Sequence, residues 1–171
     1  QYIKGMTPQA AGSILMAQPV VMALFSPLAG RLSDRIQPRL LAPAGMSITT
    51  VGMVVLTQLA ASSSISFITG NLILLGLGFA LFSSPNMSAI MGAVDKKDYG
   101  LASGTVATMR LLGQMTSMAI ATVVLTYFVG HHVIEPANYD RFMASVQMVF
   151  SVSAVLCTVG IYFSMFRGRL R

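Results

Sequence analysis

The chain has 171 residues, a formal net charge of +6 and a mean hydropathy of +0.72. Apolar residues make up 54% of it and charged residues only 9%, against about a quarter charged in a soluble domain. Charge this scarce cannot cover a water-facing surface, which excludes an ordinary soluble domain and predicts an all-α integral membrane protein.

The chain opens on Gln1 amid polar residues, with no secretory leader pattern, and reads as a piece of a longer protein. The first apolar run is expected over about 8–30, with Thr7 as N-cap and Pro8 at the first helical position. Gln18 and Pro19 lie near its middle. A proline there removes a backbone donor, so a kink is expected at Pro19. Gln18 is a candidate for the lining of a polar pathway, because polar side chains inside a bilayer are costly and often functional.

A basic turn follows, Gly30-Arg31-Leu32-Ser33-Asp34-Arg35-Ile36-Gln37-Pro38-Arg39. Three arginines in ten residues mark a membrane edge. The second span is expected over about 40–60 and the third over about 65–94. The third contains Gly76-Leu77-Gly78-Phe79 and then Ser83-Ser84-Pro85-Asn86. Its glycines permit close helix approach. Pro85 predicts a second kink, and Asn86 is a second pathway candidate.

The fourth span, about 101–130, carries Arg110 and Gln114 four residues apart, hence on one helix face. Arg110 lies about 15 Å along that helix. Both are pathway candidates. Gly113 and Ser117 give the same helix a small-residue surface. The fifth span is expected over about 142–166, with Gln147 as a weaker candidate. All links are short, so the five spans are expected to form one antiparallel bundle, residues 1–171.

Positive charge decides the expected orientation. Arg31, Arg35, Arg39, Lys96, Lys97, Arg167, Arg169 and Arg171 fall on one side, Lys4 and Arg141 on the other. The basic side is cytoplasmic, so the amino end is expected outside and the carboxyl end inside.

Several chemistries find no support. The basic residues are not interleaved with aromatics, so no nucleic-acid partner is expected. There is no phosphate-binding loop, and no nucleophile has an evident base partner, so the chain is not read as an enzyme. His131, His132 and Glu135 lack metal-site spacing. Cys157 is single and sits in an apolar run, where it reads as a packing residue. The methionines read as span filler. No metal or cofactor is expected. Asp34, Asp95, Asp98, Glu135 and Asp140 all lie in links, so no carboxylate sits inside a span.

The basic turn resembles the G-x-L-x-D-R-x-G-R-[RK] signature of the major facilitator superfamily. Gly30, Leu32, Asp34, Arg35 and Arg39 match it, whereas Gln37 and Pro38 depart from it. Gly76 to Asn86, and Ala102-Ser103-Gly104 followed by Arg110, Gly113 and Gln114, are similar to the drug:proton antiporters with fourteen spans (EmrB/QacA type). The resemblance implies a carboxy-terminal half with its first helix missing, facing a missing amino-terminal half. It also implies alternating access, with a small-molecule substrate and protons as the coupling ion. It gives Asp34 and Arg35, with Gly30 and Arg39, a role in latching the cytoplasmic face. The expected function is proton-driven efflux of drugs, amphipathic or cationic, or of other amphipathic small molecules. Two alternatives stay open: a facilitator of the same fold for a metabolite or siderophore, and a non-transporting membrane scaffold.

Overall fold

A computed structural model of the chain describes residues 5–33, 36, 38–60, 62–130 and 139–166; at 38, 39, 165 and 166 it describes the backbone only. Among these residues every regular element is helical, and five helical segments are long and apolar enough to cross a membrane.

The first segment is broken in two. Helix α1 spans Pro8–Leu15 and α2 spans Ala17–Ser33. Thr7 caps α1 by accepting from the Ala10 N–H at 3.3 Å, and Pro8 begins it. The break falls at Met16 because Pro19 has no N–H to donate to the Leu15 carbonyl one turn back. The irregularity is local: Met16 keeps right-handed helical dihedrals, its N–H donates to the Gly12 carbonyl and its own carbonyl accepts from the Val20 N–H, so α1 and α2 follow on as one apolar segment, Pro8–Ser33. Pro27, also inside α2, does not interrupt it.

Helix α3 spans Pro38–Thr57 and α4 spans Ile65–Gly92. Ser64 caps α4 by accepting from the Phe67 N–H at 3.2 Å. Unlike Pro19, Pro85 leaves its helix continuous, and its side chain is fully buried. A 3₁₀ turn at Lys96–Asp98 leads into α5, Tyr99–Val129. Gly130 ends α5 with φ +68°, a backbone conformation that other residues adopt with strain. Helix α6 spans Tyr139–Phe166.

Helix α4 is the centre of the packing, wedged against α2 on one side and α3 on the other. Glycines set those approaches. A Cβ at Gly45 would lie 2.6 Å from the Phe82 nitrogen and 2.8 Å from the Gly78 carbonyl oxygen. A Cβ at Gly78 would lie 3.0 Å from the Gly45 oxygen, so α3 and α4 touch backbone to backbone. A Cβ at Gly76 would lie 2.7 Å from the Gln18 carbonyl oxygen, which seats the start of α2 on α4 just below the break. At the other end of α2, a Cβ at Gly30 would lie 3.2 Å from Ser84 Oγ. Leu56, Leu72 and Leu75 form a buried cluster, with Ile14, Met53 and Phe150 packed around it. Helix α6 lies against α3, and α5 leans on α6 while barely touching α4.

Polar groups inside the helices are mostly satisfied locally. Hydroxyls of Thr49, Thr105, Thr108, Thr116 and Thr122 each donate to the carbonyl four residues earlier. Two amides join helices instead. Asn71 Nδ2 on α4 donates to the Gly52 carbonyl on α3 at 3.0 Å. Gln147 Nε2 on α6 donates to the Leu59 carbonyl, just past α3, at 2.8 Å. Asn71 is buried, and its Oδ1 has no hydrogen-bond partner. Asn71→Ala should lower stability by about 0.6–1.7 kcal/mol, the range of interhelical hydrogen bonds in membranes. Thermal unfolding in detergent would measure it.

Candidate functional site

Because α5 leans away from α4, a cleft of about 990 Å³ opens between them. Phe79, Phe82, Ser83, Asn86, Met87 and Ile90 line it from α4. Met109, Arg110, Gly113, Gln114, Ser117 and Met118 line it from α5, and Met22 reaches it from α2. Three of the four expected pathway residues, Asn86, Arg110 and Gln114, therefore meet in one place. Gln18 is half-buried one turn before Met22 and does not line the cleft.

The spacing on α5 explains the grouping. Arg110, Gln114, Ser117 and Ala121 follow at steps of four, three and four, one stripe along a helix. On α4, Phe79, Phe82, Ser83, Asn86 and Ile90 do the same. The two stripes face each other. Gly113 and Ser117 also border a groove of about 280 Å³ against Val149, Val152 and Ser153 of α6. A Cβ at Gly113 would touch nothing within 4 Å, so this small-residue stretch opens the cleft instead of seating a neighbouring helix.

The electrostatics of the cleft are one-sided. Among the described residues Arg110 is the single charged side chain on its wall. Among the described residues it has no ion-pair or hydrogen-bond partner. It lies about 16 Å along α5 from Tyr99. The full length of α5 is about 46 Å at the same rise, against an apolar bilayer core of about 30 Å. A helix centred in the bilayer would overhang by about 8 Å at each end, which leaves Arg110 about 8 Å inside the core. The other charged groups that the structure describes lie at helix ends: Arg31, Asp95 to Asp98, Asp140 and Arg141. Lys97 pairs with Asp95 at 3.6 Å, both well exposed.

Other expectations meet the structure differently. Gln147 donates its amide to the Leu59 carbonyl, which joins α6 to the end of α3. Gly30 stands at the tight approach to Ser84. Asp34, Arg35 and the side chain of Arg39 lie outside the described residues, as do His131, His132 and Glu135. Among the described residues, no cluster of three or more His, Cys, Asp or Glu could hold a metal.

Sequence reasoning missed the methionines of the cleft. Met22, Met87, Met109 and Met118 form much of its apolar wall. The usable signal was their position: Met109 and Met118 flank Arg110 and Gln114 on α5, and Met87 follows Asn86 on α4.

Comparison with known proteins decides the family. The model of the Major Facilitator Superfamily matches residues 1–170. The chain belongs to that superfamily. The riboflavin transporter RibZ of Clostridioides difficile is 26% identical over 170 residues, which is 97% of this chain and 36% of that protein. The uncharacterized transporter YebQ of Escherichia coli is 35% identical over 128 residues, 75% of this chain and 28% of that protein. The multidrug resistance protein Stp of Mycobacterium tuberculosis is 32% identical over 125 residues, 73% of this chain and 23% of that protein. The chain thus spans between about a quarter and a third of the length of these relatives. No solved structure matches. As a Major Facilitator Superfamily chain, it falls among multi-pass membrane transporters and not among enzymes.

Proposed function

We propose that this chain is the carboxy-terminal portion of a bacterial inner-membrane transporter that exports drugs or other amphipathic small molecules by alternating access, driven by protons. The observation that carries the reading is the α4–α5 cleft, where Asn86, Arg110 and Gln114 share an otherwise apolar wall. A large apolar cavity with a few convergent polar groups is the general form of a small-molecule site. The similarity to a multidrug resistance protein supports efflux. The resemblance of Gly76 to Asn86 and of Ala102 to Gln114 to the fourteen-span antiporters supports proton coupling.

In this reading the end of the bundle that carries Arg31, Lys96 and Lys97 faces the cytoplasm. Gly30 lets α2 close on α4 at Ser84, and Asp34, Arg35 and Arg39 latch that face. The missing amino-terminal half closes the cleft from the other side. It also supplies the carboxylate that relays the proton, since the spans of this chain hold none. Inverted membrane vesicles containing the intact transporter should accumulate substrate when energised and release it on addition of a protonophore. Accumulation indifferent to the protonophore would remove proton coupling from the account.

A facilitator for a metabolite is the second reading. It is favoured by the similarity to a riboflavin transporter, which extends over nearly the whole chain.

A further inference from the structure

Building on the transport reading of the same cleft, we infer that the cleft selects flat amphipathic molecules with an anionic head, and that Arg110 reads the charge. The inference narrows the substrate class against the cationic drugs that the family resemblance brings into view.

Three observations carry it. Among the described residues Arg110 is the single charged group on the cleft wall, and no described carboxylate lines it. Among the described residues its guanidinium is unpaired, so its hydrogen-bonding fork is available to a ligand. That fork matches a carboxylate or sulfonate with two parallel hydrogen bonds. The charge faces a cleft whose other described walls are neutral, so it attracts an anion and repels a cation. Gln114, one turn further along α5, and Asn86 across the cleft add neutral donors and acceptors beside the same spot.

The rest of the wall fits the body of such a molecule. Phe79, Phe82, Met22, Met87, Met109 and Met118 present aromatic and thioether surface. Such groups are polarisable and suit flat rings. A cleft of about 990 Å³ has room for a molecule of drug size. An aromatic cation of equal size would gain the same walls, but on this half of the site it would meet Arg110 with no carboxylate among the described lining residues to offset the repulsion.

The test uses two xanthene dyes of nearly equal shape. Fluorescein carries a carboxylate and is anionic at neutral pH, whereas rhodamine 123 is cationic. Binding to the purified intact transporter is read by fluorescence anisotropy. Fluorescein should bind at least about tenfold more tightly than rhodamine 123, the scale of one hydrogen-bonded charge. Arg110→Lys should keep part of that preference, Arg110→Ala should erase it, and Arg110→Glu should reverse it. Equal binding of the two dyes by the unmodified protein would overturn the inference, as would a preference for the cation or failure to bind either. A preference that survives Arg110→Glu would overturn it too. The comparison on the unmodified protein decides the question even if a variant fails to fold. Flux of each dye into energised vesicles is measured in parallel. Selective binding without flux would leave the inference standing and sink the transport reading. Flux of rhodamine 123 alone would do the opposite.

Discussion

Replacing Arg110 by alanine in the intact transporter should lower transport by about ten- to a hundredfold, the worth of one or two hydrogen bonds to a charged group. It should not lower the amount of protein in the membrane. The two effects have opposite physical origins. A charged side chain costs about 2.5–3.5 kcal/mol at the centre of the membrane on insertion scales and less at the depth of Arg110, so alanine makes α5 somewhat easier to insert. No partner among the described residues is lost with it, because Arg110 pairs with none of them. Transport in vesicles, normalised to the quantity of inserted protein, separates the two. Equal loss of both would make Arg110 a structural residue. Gln114→Leu, on the same stripe, should show the same pattern with a smaller loss, since a neutral hydrogen bond contributes about 1 kcal/mol.

Gly45→Ala should be among the most damaging single-methyl changes in the bundle. Its Cβ would lie 2.6 Å from the Phe82 nitrogen and 2.8 Å from both the Gly78 oxygen and the Leu81 carbonyl carbon. These are backbone atoms of α4, which cannot swing aside as a flexible side chain does. The place is exacting for a second reason. Pro85, one turn after Leu81, has no N–H to donate to the Leu81 carbonyl. The backbone of α4 is thus shaped there, and α3 is fitted to that shape. Forcing the helices apart should cost about 1–3 kcal/mol, as overpacking does. Thermal unfolding in detergent would show it as a lowered midpoint and a reduced folded yield. Gly104→Ala is the control. Nothing lies within 4 Å of its Cβ, and removing a helix-interior glycine should raise stability by about 0.5–1 kcal/mol. A Gly45→Ala variant as stable as the control would contradict the close contact of α3 and α4.

The helices were legible in the sequence because a bilayer leaves few alternatives. Long apolar runs separated by short polar links must become spans. Thr7 then marks a start by its side-chain oxygen, with Pro8 at the first helical position. The difference between the two prolines was not legible. A local irregularity precedes Pro19 at Met16 and none accompanies Pro85, since a neighbouring helix can hold a proline-containing turn in line, and the neighbours of Pro85 are known only after folding. The polar stripe of the cleft on α5 was readable from spacing alone, because Arg110 and Gln114 share a face at four residues. That Asn86 lies across from them depends on the lean of α5 away from α4, which no local pattern encodes. Gln18 and Gln147 stand apart from the other polar residues of the spans. One lies outside the cleft and the other bonds a carbonyl left free at the end of α3. Asn71 is an amide buried between α3 and α4 that carries structure and drew no functional expectation.

The account stands on the α4–α5 cleft being a solvated passage for substrate. The most direct measurement replaces Gln114 by cysteine in an intact transporter otherwise free of cysteine, with Cys157→Ser included. The rate of reaction with a charged, water-soluble thiol reagent is then followed with and without transported substrate. The account predicts fast labelling at position 114 and protection by substrate. A residue 114 that the reagent cannot reach, or that substrate does not shield, would place this face of α5 against lipid or packed helix and contradict the account.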